Sequence, residues 1–138
     1  MRKRFPVKLN WTEGELREGL RCYRAQEFFE AHEHWESAWL TSKEPEKAFL
    51  QGLIQVAAAF HHLQRGNPRG TRSLLERARV RLERCPACFG GIDVSSLCKD
   101  IEGWLQALEA GGITDSRTYP ALNLRSRHGG SKAGVTKS

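Results

Sequence analysis

The most apolar stretch of the chain, residues 49–60, reads FLQGLIQVAAAF and decides the fold. Its apolar residues lie on most sides of a helical wheel, so we predict a central helix that is buried on most faces. Glu44-Pro45 opens this helix, because proline is tolerated in the first turn, and the helix runs to about Gln64. Every other element is expected to pack against it.

Four further helices surround the central one in our prediction. Apolar residues at three- and four-residue steps mark them, and no stretch alternates as a strand would. Thr12 and Glu15 form a capping-box pattern, and Gly66-Asn67-Pro68 and Asp93 carry further helix-end signals. The predicted helices cover about 12–24, 26–40, 45–64, a fourth beginning at Pro68, and a fifth from Asp93 to Gly111-Gly112. Short loops between them predict an all-α fold, a compact bundle of about five helices.

The composition predicts one globular domain with basic ends. The 138 residues are 39% hydrophobic and 28% charged, with a net charge of +6. Nine of the 22 basic residues lie near the two ends. We predict a basic N-terminal arm at 1–9, a helical domain at 10–114 and a disordered basic tail at 115–138. No apolar run approaches the roughly 18 residues of a membrane span and no secretory signal is evident, which predicts a cytoplasmic protein without membrane contact.

One cysteine pair, Cys85-Pro86-Ala87-Cys88, has the spacing of a metal knuckle or a redox motif. A structural zinc site takes four ligands, usually from two such pairs, and the sequence has one pair. A redox motif of this kind follows a strand, and none is predicted here. We therefore interpret Cys85 and Cys88 as residues of a loop, with their role left open.

Residues 28–39 of the second helix read FFEAHEHWESAW and carry unusual polar groups for an apolar face. His32 and Glu36 are one turn apart and share a face with aromatic residues, including Trp39. Glu33 lies at the edge of this face. The pattern predicts that the imidazole and the carboxylates lie close together.

The central helix has a matching polar stripe formed by Gln51, Gln55 and His62. Polar groups that are buried without partners cost roughly 1–3 kcal/mol each, so they should meet one another or a ligand. We therefore predict one shared, buried cluster. Its members are His32, Glu36, Gln51, Gln55 and His62, with Glu33 at its margin.

Several ordered motifs resemble an uncharacterised, mostly prokaryotic family, domain of unknown function 309. The motifs are FFEAHE at 28–33 with Glu36 and Trp39, LQGLIQVA at 50–57, and His62 followed by RGN at 65–67 and Gly70. The resemblance covers about residues 16–97 and implies a small, all-helical intracellular domain with no established activity. Thr71 stands where the family usually has alanine. The family's motif residues map onto His32, Glu33, Glu36, Trp39, Gln51, Gln55, His62, Gly66, Asn67 and Gly70.

The sequence does not establish a biochemical role, and the first of three hypotheses is a structural one. The predicted cluster would form a polar core that fixes helix register in a binding or scaffold protein. The second hypothesis is a metal or small-ligand pocket. His32, Glu36 and His62 would bind zinc or iron there, Gln51, Gln55 and Trp39 would contact a ligand, and Glu33 would be the general base of a metal-dependent hydrolase.

One motif bears on the second hypothesis, and a third hypothesis rests on the basic residues. His32-Glu33-x-x-Glu36 is similar to the zinc-protease helix motif with its second histidine replaced, which lowers its specificity. The third hypothesis is weak nucleic-acid binding through the arginine-rich fourth helix and the basic tails. The predicted partner is an unknown small ligand or protein. Exposed aromatics such as Trp11 would also allow an oligomer.

Overall fold

The computed structural model describes residues 9–111 and 118–124. It contains five helices and a short hairpin in its described part: α1 (Gly14–Arg24), α2 (Phe28–Leu40), α3 (Glu46–Gln64), α4 (Pro68–Glu83), β1 (Cys88–Phe89), β2 (Ile92–Asp93) and α5 (Val94–Glu109). The predicted all-α bundle is therefore confirmed, with helix boundaries within a few residues of those expected. None of these helices combines the length and apolarity that a membrane crossing needs.

The central helix α3 is the most buried element, as its composition predicts. Nine of its 19 residues are buried, more than in any other described helix. Each helix packs on the next along the chain, from α1 to α5. The ring of Phe60 on α3 also contacts Phe28 of α2 and Trp104 of α5, at centroid distances of 5.6 and 5.0 Å. The bundle is thus built around α3.

Side-chain caps confirm two predicted helix starts and correct a third. Asn67 and Asp93 each accept a hydrogen bond from the backbone N–H three residues further on, as N-cap residues do. Thr12 does not cap α1, because the helix begins two residues later, at Gly14. The Thr12 hydroxyl instead donates to Oδ1 of Asn10 at 2.5 Å. The capping-box prediction was wrong because Glu13, and not Thr12, is the N-cap residue of α1.

The loop predicted around the cysteine motif contains a β-hairpin. Phe89 pairs with Ile92 in antiparallel register, and Gly90 and Gly91 form the turn with φ of +57° and +84°. Positive φ at both turn positions is the geometry that favours glycine in two-residue hairpins. Strands of two residues are too short for an alternating pattern, so the sequence analysis assigned no strand here.

Residues 118–124, predicted to belong to a disordered tail, lie on the bundle in extended conformation. The Tyr119 ring contacts Phe28, Phe60 and Trp104 at centroid distances of 4.9, 5.0 and 5.7 Å. Leu122 is only 2% exposed. The described part of the predicted tail, residues 118–124, therefore packs against the bundle. The remainder of the predicted tail, and residues 1–8 of the predicted arm, lie outside the described residues.

Hydrogen bonds to its carbonyl groups hold this segment in place. The Tyr23 hydroxyl donates to the Pro120 carbonyl at 2.6 Å, and the Trp104 indole donates to the Thr118 carbonyl at 3.0 Å. Arg24 donates to the Leu122 carbonyl at 2.9 Å. We refer to residues 118–124 as the C-terminal strap.

Trp11, considered in the sequence analysis as an exposed aromatic, is a core residue. It is 7% exposed, and its ring meets Trp35 edge-on at 6.4 Å. Its indole donates to the Gly90 carbonyl at 2.7 Å. Trp11 therefore closes one end of the bundle and offers no surface for an oligomer contact.

Candidate functional site

A surface groove of about 360 Å³ runs across the middle of the bundle, between α2, α3 and α4. α3 forms its floor, and α2 and α4 form its walls. The residues that line it are His32, Glu36 and Trp39 from α2, Gln51, Ile54, Gln55 and Ala58 from α3, and Leu74 and Arg77 from α4. The floor thus combines two amides, of Gln51 and Gln55, with the apolar Ile54 and Ala58. We refer to this feature as the central groove.

His32, Glu33 and Glu36 form the one group of potential metal ligands found in the described part of the chain. Each offers one ligand atom, and these three atoms lie within 4.8 Å of one another. The Nδ1 atom of His32 is 3.8 Å from a carboxylate oxygen of Glu33. The helix brings Glu36 close to both other residues because it lies four positions after His32 and three after Glu33.

These spacings are wider than those around a coordinated ion. Zinc binds histidine and carboxylate at about 2.0–2.2 Å in tetrahedral geometry, so two of its ligand atoms lie about 3.5 Å apart. The group must therefore contract by about 1 Å to hold such an ion. Glu33 and Glu36 are exposed, with 57% of the Glu33 side chain accessible, so small rotations of their side chains achieve this.

Two buried polar atoms beside this group have no hydrogen-bond partner. They are Nδ1 of His32 and Oε1 of Gln55, and both residues line the central groove. Buried polar atoms in folded proteins are almost always satisfied by protein, water or a ligand. These two atoms therefore indicate the part of the groove where a ligand atom and a hydrogen-bond donor are expected.

The predicted polar core is not what the structure shows. No hydrogen bond joins His32, Glu36, Gln51 and Gln55 to one another within the described residues. His32 is 26% exposed at its side chain, both glutamines are half-buried and Glu36 is exposed. The prediction of a dry, self-satisfied cluster was wrong, because these side chains line an open groove and make no hydrogen bonds to one another.

His62 is not part of the groove, contrary to its prediction as a metal ligand. Its Nδ1 atom accepts from the Asn67 side-chain amide at 3.1 Å, while the oxygen of the same amide caps α4. His62 shares a stripe with Gln51, but eleven residues of helix separate them by about 16 Å along the axis. Two residues on the same face of a helix, such as His62 and Gln51, therefore need not belong to the same site.

The motif from His62 to Gly70 is a turn between α3 and α4. Gly66 has a φ of +78°, and the backbone N–H of Asn67 donates to the His62 carbonyl at 2.9 Å. A Cβ atom at Gly70 would lie 2.6 Å from Nδ2 of Asn67 and 3.3 Å from Cγ of His62. These motif residues therefore position the two helices that flank part of the groove.

Two cations at the groove were missed by the sequence analysis. Arg77 lines it from α4, and Lys47 lies 4.2 Å from the ring centroid of Trp39, another lining residue. The sequence placed Arg77 on a solvated basic face. Its position three residues after the groove residue Leu74 was the signal that could have identified it.

The arginine-rich helix α4 is partly neutralised by ion pairs. Arg72 contacts Glu76 and Glu109, at 3.4 and 3.8 Å. Arg79 contacts two further glutamates, on α4 and α5, at 3.9 and 3.5 Å. These pairs reduce the free positive charge available for the predicted nucleic-acid binding, and the basic tails lie mostly outside the described residues.

The cysteines do not form a metal group or a disulfide in the described residues. Cys85 and Cys98 line a second cavity of about 490 Å³ between the end of α4 and the start of α5, and Cys88 is exposed. Burial raises the pKa of both the Cys85 and the Cys98 thiols, which favours the unreactive thiol form at neutral pH. The structure thus gives the CxxC motif no paired function.

The fold and groove define a small helical domain with an open, polar surface site, and comparison with known proteins shows which family it resembles. Residues 16–74 match the family described as "Domain of unknown function (DUF309)", which confirms the predicted resemblance. The match extends from α1 into α4, so it includes the groove residues of α2 and α3 but ends before Arg77.

One relative is an "Uncharacterized protein" of Aquifex aeolicus (strain VF5), 31% identical over 97 residues. The alignment covers 70% of this chain and 29% of that protein, so the chain spans less than a third of the relative's length. Neither the family nor the relative establishes a specific role. The function must therefore be argued from the groove itself.

Proposed function

We propose that the central groove binds a divalent metal ion through His32, Glu33 and Glu36. The observation that carries the proposal is the approach of one imidazole nitrogen and two carboxylate oxygens within 4.8 Å. The unsatisfied, buried Nδ1 of His32 adds to it, because a neutral imidazole nitrogen without a donor is available to a metal. This ligand set suits zinc or iron(II).

Three protein ligands leave coordination positions open for water or for a small molecule. Such a water molecule could donate a hydrogen bond to Oε1 of Gln55, which has no partner in the described structure. Gln51 and Trp39 line the groove beyond it and supply an amide and an aromatic surface. The function supported best is therefore metal-dependent binding of a small molecule.

The proposal does not extend to hydrolysis. Glu33 was predicted to act as general base, but its carboxylate belongs to the ligand group in this geometry. The carboxylate among the described lining residues of the groove is that of Glu36, which is also in the ligand group. When both bind the metal, no carboxylate among the described lining residues remains to accept a proton from bound water.

A cytoplasmic location is part of the same proposal. Each of the four cysteines is an unbridged thiol, which fits a reducing compartment. The proposed iron or zinc site, with exposed carboxylates, is likewise compatible with a metal-buffered cytoplasm.

The test is zinc titration by isothermal calorimetry with protein purified without a histidine tag. We expect about one equivalent of zinc per chain, and a loss of affinity of about 100-fold or more for His32→Ala and for Glu36→Gln, since each removes a ligand. His34→Ala is the matched control, because His34 lies on the same helix but contacts Glu15 at 2.6 Å.

Two outcomes would contradict the proposed function. The first is wild-type protein that takes up less than about a tenth of an equivalent of zinc or iron(II). The second is a loss of affinity in His34→Ala or His62→Ala as large as that in His32→Ala, which would place the metal elsewhere.

A further inference from the structure

The central groove contains positive charge that the proposed metal site does not use. Arg77 lines the groove and has no salt-bridge partner among the described residues, whereas Arg72 and Arg79 of the same helix are paired. Lys47 lies over the ring of Trp39, with its Nζ 4.2 Å from the ring centroid. Arg77 is therefore available to a ligand bound in the groove, and Lys47 lies beside a residue that lines it.

The charge balance indicates what kind of ligand this is. The carboxylates of Glu33 and Glu36 would neutralise a divalent ion, which leaves the charges of Arg77 and Lys47 without a counterpart. A phosphate monoester carries about −1.5 to −2 charge at neutral pH and has three strong acceptor oxygens. One oxygen can bind the metal while the other two accept hydrogen bonds from a guanidinium group, which matches phosphate geometry.

The size and polarity of the groove limit the rest of the ligand. Its volume of about 360 Å³ is near the lower end for small-molecule sites, which span about 300–1,000 Å³. Gln51 and Gln55 present amide groups on the floor, and Oε1 of Gln55 is a buried acceptor without a donor. A small molecule with hydroxyl groups satisfies such an acceptor, whereas a purely apolar one leaves it unsatisfied.

We infer that the central groove binds a small, hydroxyl-bearing phosphate monoester, with the phosphate held between the metal ion and Arg77. This inference rests on the proposed metal site and adds the chemical class of its ligand. Substitution of Arg77 tests the ligand inference separately from the proposed metal site, because Arg77 can bind phosphate but is not a ligand of the metal.

The experiment is calorimetric titration of glycerol 3-phosphate into the full chain, with zinc and without zinc. Glycerol serves as the matched compound, since it has the hydroxyl groups but lacks the phosphate. We expect glycerol 3-phosphate to bind at least about tenfold more tightly with zinc, and glycerol to show no binding. A parallel titration of His32→Ala corrects for zinc–phosphate complexes formed in solution.

Arg77→Gln should weaken binding of glycerol 3-phosphate about tenfold or more, the effect of losing a hydrogen bond to a charged group, and leave zinc affinity unchanged. Arg69→Gln is the control, because Arg69 is exposed on the same helix and does not line the groove.

The outcomes distinguish the two proposals. If zinc binds but Arg77→Gln retains wild-type affinity for glycerol 3-phosphate, the ligand inference is overturned and the metal site stands. If wild-type protein binds no zinc, the proposed function fails. Binding of glycerol 3-phosphate that is independent of zinc would then also overturn the metal-bridged arrangement inferred here.

Discussion

The central groove and the site of the C-terminal strap are two surfaces of the bundle, and only the second is covered by a segment of the described chain. Under the strap, the chain itself closes the gap, with Tyr119 packed against Phe28, Phe60 and Trp104. At the groove, no segment of the described chain covers the gap, and two polar atoms, on His32 and Gln55, remain without partners.

The two surfaces differ in how their polar groups are satisfied. The carbonyl groups of Thr118, Pro120 and Leu122 each accept a hydrogen bond from a side chain of the bundle. Satisfied groups of this kind stabilise the fold, whereas unsatisfied ones cost free energy and are retained where a ligand meets them. Substitutions under the strap should therefore affect stability, and substitutions in the groove should affect binding.

The largest expected effect is a loss of stability when Tyr119 of the C-terminal strap is substituted. Tyr119→Ala should lower the free energy of unfolding by about 3 kcal/mol, the lower end of the range for a buried aromatic side chain, because Tyr119 is half-buried. Gln51→Ala in the groove is the comparison and should change it by less than about 0.5 kcal/mol. Urea unfolding followed by circular dichroism measures both. A cost below about 1 kcal/mol for Tyr119→Ala would show that the strap is not part of the core.

The second effect is stabilisation by metal at the groove. Zinc at about 100 times its dissociation constant should add about 2.7 kcal/mol to the stability of the wild-type protein, because it binds the folded state. His32→Ala should remove this gain while keeping the stability of the metal-free protein nearly unchanged. Thermal unfolding with zinc, and again after addition of a chelator, measures the difference. Equal stabilisation of both proteins would argue against the site.

A smaller effect distinguishes the turn between α3 and α4 from the groove. Asn67→Ala should cost about 1 kcal/mol of stability, because it removes the N-cap of α4 and the amide that contacts His62. His62→Ala should cost less and should not alter zinc affinity. Combining the two substitutions should give less than the sum, since they break one interaction. Fully additive costs would contradict a shared role.

The smallest expected effect is a pH dependence at His61, whose ring lies 5.3 Å from that of the exposed Phe29. Burial, followed by the charge of Arg65, lowers the pKa of His61 below its usual value of 6.5. The unfolded chain therefore binds this proton more readily, and stability decreases as the pH falls through about 6.5. His61→Gln should reduce that decrease, as urea unfolding between pH 7.5 and 5 would measure. An identical pH profile for both proteins would refute it.

Local signals were sufficient for most of the fold. Helix periodicity, the Gly66-Asn67-Pro68 turn and the Asp93 cap are encoded within a few neighbouring residues, and each is found where expected. The strap could not be predicted in this way. Its anchor Tyr119 is one aromatic residue in a polar stretch, and its partners are distant in sequence, so no short-range pattern reports the contact.

In the candidate site too, some features follow from local sequence and others depend on the packing of separate helices. His32 and Glu36 could be paired from the sequence because one turn of helix brings them within about 6 Å along the axis. His62 was assigned wrongly and Arg77 was missed, because the approach of separate helices decides which residues share a groove.

The sequence by itself determined the helices, two of their caps and the candidate ligand group within α2, since hydrogen bonds and side-chain neighbours inside a helix depend on spacing alone. Only the tertiary structure decided that this group faces an open groove beside Arg77, and that Tyr119 closes the core. Both depend on distances between segments that are far apart in the chain, which are set by the packing of the whole core.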